Sequence, residues 1–114
     1  MRKWIATIGI VLLTAAPLSA ARADGKELFE KNCSKCHGMT GLADTKAGKA
    51  AKAKKFQGDE KVMGDDAKVA DTVLKTVRDP EKKKHREVSK KVSDADLQTI
   101  AIYIKALATA PPAP

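Results

Sequence analysis

Apolar positions recur with helical spacing in three stretches of the chain. Between residues 93 and 108, Leu97, Ile100, Ala101, Ile104, Leu107 and Ala108 repeat at intervals of three and four, behind Ser93 as a natural N-cap and Asp96 at the third position. This pattern predicts the main packing helix, which Pro111-Pro112 closes. Val69, Val73 and Val77 recur every four residues and predict a second helix over 66–78, which Pro80 ends. A shorter helix is expected over 25–32, with Leu28 and Phe29 as its apolar side. Residues 38–64 show little periodicity; Asp44 or Thr45 could cap a lysine-bearing helix reaching Lys55, but Gly48 weakens that pattern. Residues 79–92 read as a charged loop. With no strand alternation beyond a few residues and no internal repeat, the predicted fold class is all-α.

The N-terminal stretch follows a different rule. Met1-Arg2-Lys3 is a positive start, Trp4 to Ala16 is almost uninterruptedly apolar, and Ala21-Arg22-Ala23 is a small-x-small cleavage site. The apolar run is short for a membrane span, which needs about 20 residues. The expected organisation is a cleaved secretory signal at 1–23, one domain at 24–109 and a disordered tail at 110–114, with the mature protein in the periplasm. Cleavage removes three basic residues and no acidic ones from a formal charge of +8, leaving +5. Export argues against a nucleic-acid partner. Only Phe29, Phe56 and Tyr103 then remain as aromatics, a thin core for a domain below about 100 residues, where a metal, disulfide or other cofactor commonly makes up the shortfall.

Both cysteines lie in one tetrapeptide, Cys33-Ser34-Lys35-Cys36, followed by His37. They cannot staple distant parts of the chain. In a Cys-x-x-Cys-His motif two thiols three positions apart can each add to a vinyl group of haem, and the histidine that follows can bind the iron as its proximal ligand. Export and the motif support each other, because c-type haem is attached outside the cytoplasm. A thioredoxin-like pair would want a βαβ setting, which is not visible. A zinc site recruiting Cys33, Cys36, His37 and His85 would strain a tetrahedral shell at the adjacent Cys36 and His37. A bare disulfide is the remaining alternative.

On these residues the chain resembles a small bacterial class I cytochrome c. The matching features are Gly25 and Phe29 in the first helix, Cys33-Ser34-Lys35-Cys36-His37-Gly38, and Tyr103 in the last helix. The resemblance spans roughly Gly25 to Leu107 and is loosest over 38–64. It implies a cytochrome c-like fold of three main helices and long loops wrapped around one covalently attached haem c. It also implies that the first and last helices cross, with Gly25 and Phe29 meeting Tyr103.

The resemblance usually brings a methionine as second axial ligand, from the loop before the last helix. No Met follows Gly64 here. Met39 is two residues past His37, a reach of about 7 Å at full extension, too short to round the haem. Where the family's Met would stand, eight residues before Ser93, this chain has His85. His85 is therefore the leading distal candidate; Met63, an open or water-bound position, and Lys83 or Lys84 are the alternatives. Two imidazoles would lower the reduction potential relative to Met/His ligation.

Lys82, Lys83, Lys84, Arg86, Lys90 and Lys91 flank His85, and Lys46, Lys49, Lys52, Lys54 and Lys55 crowd the long loop. They read either as a solvated face or as a basic collar that steers acidic redox-protein partners to the haem edge. The expected function is a monomeric periplasmic one-electron carrier with no substrate chemistry of its own and at most peripheral membrane contact. A ligand sensor or peroxidase-like haem protein with a labile sixth site, and a His/Met cytochrome using Met63, are the alternatives.

Overall fold

The computed structural model describes Gly9 and residues 18–109. Most of the expected signal peptide and the whole 110–114 tail lie outside the described residues. Among those described there are helices and no strand. The three long helices are α1 (Leu18–Asn32), α4 (Asp66–Arg78) and α6 (Asp94–Thr109), and three short ones sit between them: α2 (Ser34–His37), α3 (Lys46–Ala51) and α5 (Arg86–Lys91). Single 3-10 turns occupy Glu60–Val62 and Lys83–His85.

The second and third expected helices form where the apolar stripes put them. Asp65 caps α4 by accepting from the Lys68 amide at 2.9 Å, and Ser93 Oγ accepts from the Asp96 amide at 3.2 Å. Val69, Val73 and Val77 from α4, together with Leu97, Ile100, Ala101, Ile104, Leu107 and Ala108 from α6, are buried in one core. Helix α6 packs against both α1 and α4, so it is the central packing surface.

The first helix begins earlier than expected, at Leu18 rather than near residue 25. Ala20, Ala21, Arg22 and Ala23 are strong helix formers and extend the backbone hydrogen bonding upstream. The crossing of α1 and α6 is as the resemblance implied. A Cβ on Gly25 would stand 2.7 Å from the Thr99 carbonyl oxygen and 3.0 Å from Tyr103 Cβ, so only glycine permits the approach. The fully buried Phe29 ring lies 5.3 Å from the Tyr103 ring and 6.0 Å from Phe56, centroid to centroid. Phe29, Phe56 and Tyr103 thus form one cluster, worth more together than their buried area alone.

Two loop expectations need correction. The lysine-bearing helix exists but is short: Thr45 is its cap, accepting from the Gly48 amide at 2.9 Å, and it stops at Ala51 because Lys52 turns left-handed. Residues 79–92 are not simply a loop, since a 3-10 turn and α5 occupy Lys83–Lys91. The overlooked signal was the pair Val88 and Val92, one helical turn apart. Val92 is buried and Val88 packs against the core.

Candidate haem site

The chain is helical almost without a break from Leu18 to His37. The Cys33 amide donates to the Phe29 carbonyl at 2.8 Å and the His37 amide to the Cys33 carbonyl at 3.0 Å, which carries α1 into α2. Cys33 sits at the junction itself, as the N-cap of α2, and Cys36 follows three positions on within α2. Both are half-buried free thiols, so the disulfide alternative is not realised. Burial pushes the Cys33 thiol up to about 11.

The end of α2 is locked by α3. Thr45 Oγ1 donates to the carbonyls of Lys35 and Cys36, at 2.7 and 3.2 Å. Gly48 is buried against the same turn, where an added Cβ would stand 2.0 Å from the Cys36 carbonyl oxygen. The glycine that counted against this helix in the sequence is what lets the helix dock.

His37 is held on two sides. Its Nδ1 pairs with the Lys54 carbonyl at 3.0 Å, and its ring stacks on Phe56 with centroids 4.5 Å apart and planes 21° from parallel. A carbonyl can only accept, so this bond puts the proton on Nδ1 and leaves Nε2 as the free lone pair. Burial holds the imidazole below its usual pKa, against the opposing effect of the Lys54 carbonyl, and the neighbouring His85 adds to the lowering. Neutral imidazole is the form that binds a metal.

His85, at the end of the 3-10 turn before α5, comes to the same place from the far side of the sequence. Its ring lies 6.4 Å from that of His37, with planes 15° from parallel. Its Nδ1 is buried and has no hydrogen-bond partner in the protein. The other candidates stay outside this pairing. Met39 and Met63 are 55% and 39% exposed, and Lys83 and Lys84 are exposed. Among the described residues no group of three or more His, Cys, Asp or Glu side chains converges as a metal site, so the four zinc candidates are not gathered into one shell. Sequence reasoning missed the Lys54 carbonyl, a backbone group that no side-chain pattern reports. It also missed the role of Phe56, although that residue is the lone aromatic of the long loop.

An all-α domain that ends its first helix in Cys-x-x-Cys-His and sets a second histidine near the first is a small c-type cytochrome. The chain belongs to the family described as cytochrome c oxidase, cbb3-type, subunit III, whose profile matches residues 20–104. No curated protein and no solved structure gave a significant match. Membership makes the protein a haem-based electron carrier and implies covalently bound haem c. The residues present fit such a group. Cys33, Cys36 and His37 stand together where α1 runs into α2, and His85 brings a second imidazole to 6.4 Å from the first.

Proposed function

We propose that the protein is a periplasmic one-electron shuttle with a single, low-potential haem c ligated by His37 and His85. The observation that carries this reading is the pair of near-parallel imidazoles 6.4 Å apart, drawn from positions 48 residues apart in the chain. When bound, the haem supplies an iron couple that changes by one electron. The protein's residues do the rest. Cys33 and Cys36 would form the two thioether links, His37 would bind through Nε2 while the Lys54 carbonyl and the Phe56 face fix its plane, and His85 would supply the second imidazole. Similar ligands in both oxidation states leave little to rearrange on electron arrival, which suits a carrier.

Lysines of both segments adjoin the site residues along the chain. Lys54 supplies the carbonyl to His37, Lys82 to Lys84 lead into His85, and all of them are exposed. None of the lysines of 46–55 or 82–91 is in an ion pair among the described residues. Unpaired, they are free to attract acidic redox partners to the haem edge. The N-terminal charge and apolar pattern support export with cleavage after Ala23, and among the described residues no helix is long and apolar enough to cross a membrane. The mature protein is proposed to act as a monomer.

Absorption and EPR spectra of His85→Ala and Met63→Leu test the ligand set. The wild type and Met63→Leu should be six-coordinate and low-spin, and His85→Ala should turn high-spin or water-ligated and open to carbon monoxide. His85→Met should raise the potential by restoring a thioether ligand. A low-spin His85→Ala with unchanged potential would overturn the assignment.

A further inference from the structure

The segment that carries His85 is joined to the rest of the molecule in an uneven way. Between residues 79 and 85 the hydrogen bonds are local: Asp79 accepts from the Glu81 amide at 2.9 Å through its carboxylate and from the Lys82 amide at 3.1 Å through its carbonyl, and the Lys82 carbonyl accepts from the His85 amide at 3.0 Å. Pro80 through Lys84 are exposed. Such a turn opens at little cost on its own.

Every hydrogen bond that ties 79–92 to another part of the protein, among the described residues, comes from Arg78. From the last turn of α4, its guanidinium donates to the Ser89 carbonyl and to Ser89 Oγ at 3.1 Å, to the Val92 carbonyl at 2.7 Å, and to Asp94 Oδ1 at 2.8 Å from one terminal nitrogen and 3.3 Å from Nε. The Ser89 carbonyl belongs to the last turn of α5, where carbonyls lack helical partners and a cation is favoured. Asp94 opens α6. One side chain thus caps α5 and joins it to both α4 and α6. A planar fork with five donors can do this; an ammonium cannot.

Helix α5 is six residues long and begins at the residue after His85, so its orientation sets where the imidazole stands. We propose that Arg78 is a positioning residue for the distal ligand: it locks α5 and thereby keeps His85 within bonding distance of the iron. This rests on the His85 ligation proposed above. His37 needs no such clamp, being held by Lys54 and Phe56. Of the two axial bonds, the His85 bond is the one whose lifetime depends on a remote side chain.

The test uses the ferric holoprotein and reads two quantities: the low-spin fraction by EPR and the rate at which cyanide replaces the sixth ligand. Arg78→Met should retain covalent haem and substitute cyanide at least tenfold faster than wild type, with a high-spin fraction appearing; Arg78→Lys should fall between. Lys105→Met is the control, because it removes the other polar tie between α4 and α6, Lys105 Nζ to Asp66 at 2.8 Å, without touching 79–92. It should leave both readings at wild-type values. A wild-type cyanide rate in Arg78→Met, or equal acceleration in Lys105→Met, overturns the proposal. If Arg78→Met does not retain haem, Arg78→Lys decides, and wild-type readings there overturn it as well. His85→Ala separates the two levels: if it stays low-spin the ligand reading fails, whereas if it turns high-spin while the Arg78 variants behave as wild type, only the clamp fails.

Discussion

Replacing Gly48 by Ala sets two opposing effects against each other. In an exposed helix the change would stabilise by up to about 1 kcal/mol, because glycine costs backbone entropy. Here the new Cβ would stand 2.0 Å from the Cys36 carbonyl oxygen, and an ordinary carbon–oxygen contact is about 3.3 Å. Helix α3 must therefore retreat from α2 by roughly 1 Å. The atom it meets is backbone, with no rotamer to change. Overpacking of this kind costs about 1–3 kcal/mol. The retreat also pulls Thr45 Oγ1 away from the Lys35 and Cys36 carbonyls, at 2.7 and 3.2 Å. One hydroxyl proton serves both, so a single hydrogen bond of about 1 kcal/mol is lost. The clash wins, and the net loss is about 1–3 kcal/mol. For a domain of this size a loss of 2 kcal/mol lowers Tm by roughly 8–16 °C. Thermal unfolding of the holoprotein, followed by far-ultraviolet circular dichroism, measures it. A Gly48→Ala protein as stable as wild type, or more stable, would refute the docking of α3 on the Cys-x-x-Cys-His turn.

Gly25→Ala should destabilise by about 1–3 kcal/mol in chemical denaturation, because its Cβ would meet the Thr99 carbonyl at 2.7 Å and force α1 off α6; an unchanged midpoint would contradict the crossing. Electron exchange with an acidic partner should slow as salt rises, since exposed unpaired lysines act through screened attraction; stopped-flow rates independent of ionic strength would remove the collar argument. The Tyr103 phenol is raised above its usual value of 10.0, first by burial and then by Glu30. A raised folded pKa means that its contribution to stability is present below the unfolded value and fades as pH climbs through the folded one, so the midpoint of the ring-resonance titration followed by NMR should lie above pH 10.0.

The residues by themselves determined a good deal. Helix α4 from Asp66 to Arg78 and helix α6 behind Ser93 were legible because burial on one face imposes a period that local sequence must carry. The Cys-x-x-Cys-His turn was legible because its chemistry needs neighbours in sequence. Helix α5 was not, since six residues hold no stripe beyond Val88 and Val92, and the Arg78 side chain that bonds its Ser89 carbonyl lies outside it. Gly48 was misread for a related reason: propensity counts a glycine against a helix, and only the docked Cys36 carbonyl shows why no larger residue fits. The Lys54 carbonyl at His37, Phe56 against its ring and the approach of His85 all join positions far apart in the chain. Local sequence records which side chains are available, but the distances between them follow from how α1, α4 and α6 pack, and that is decided only when the whole core closes.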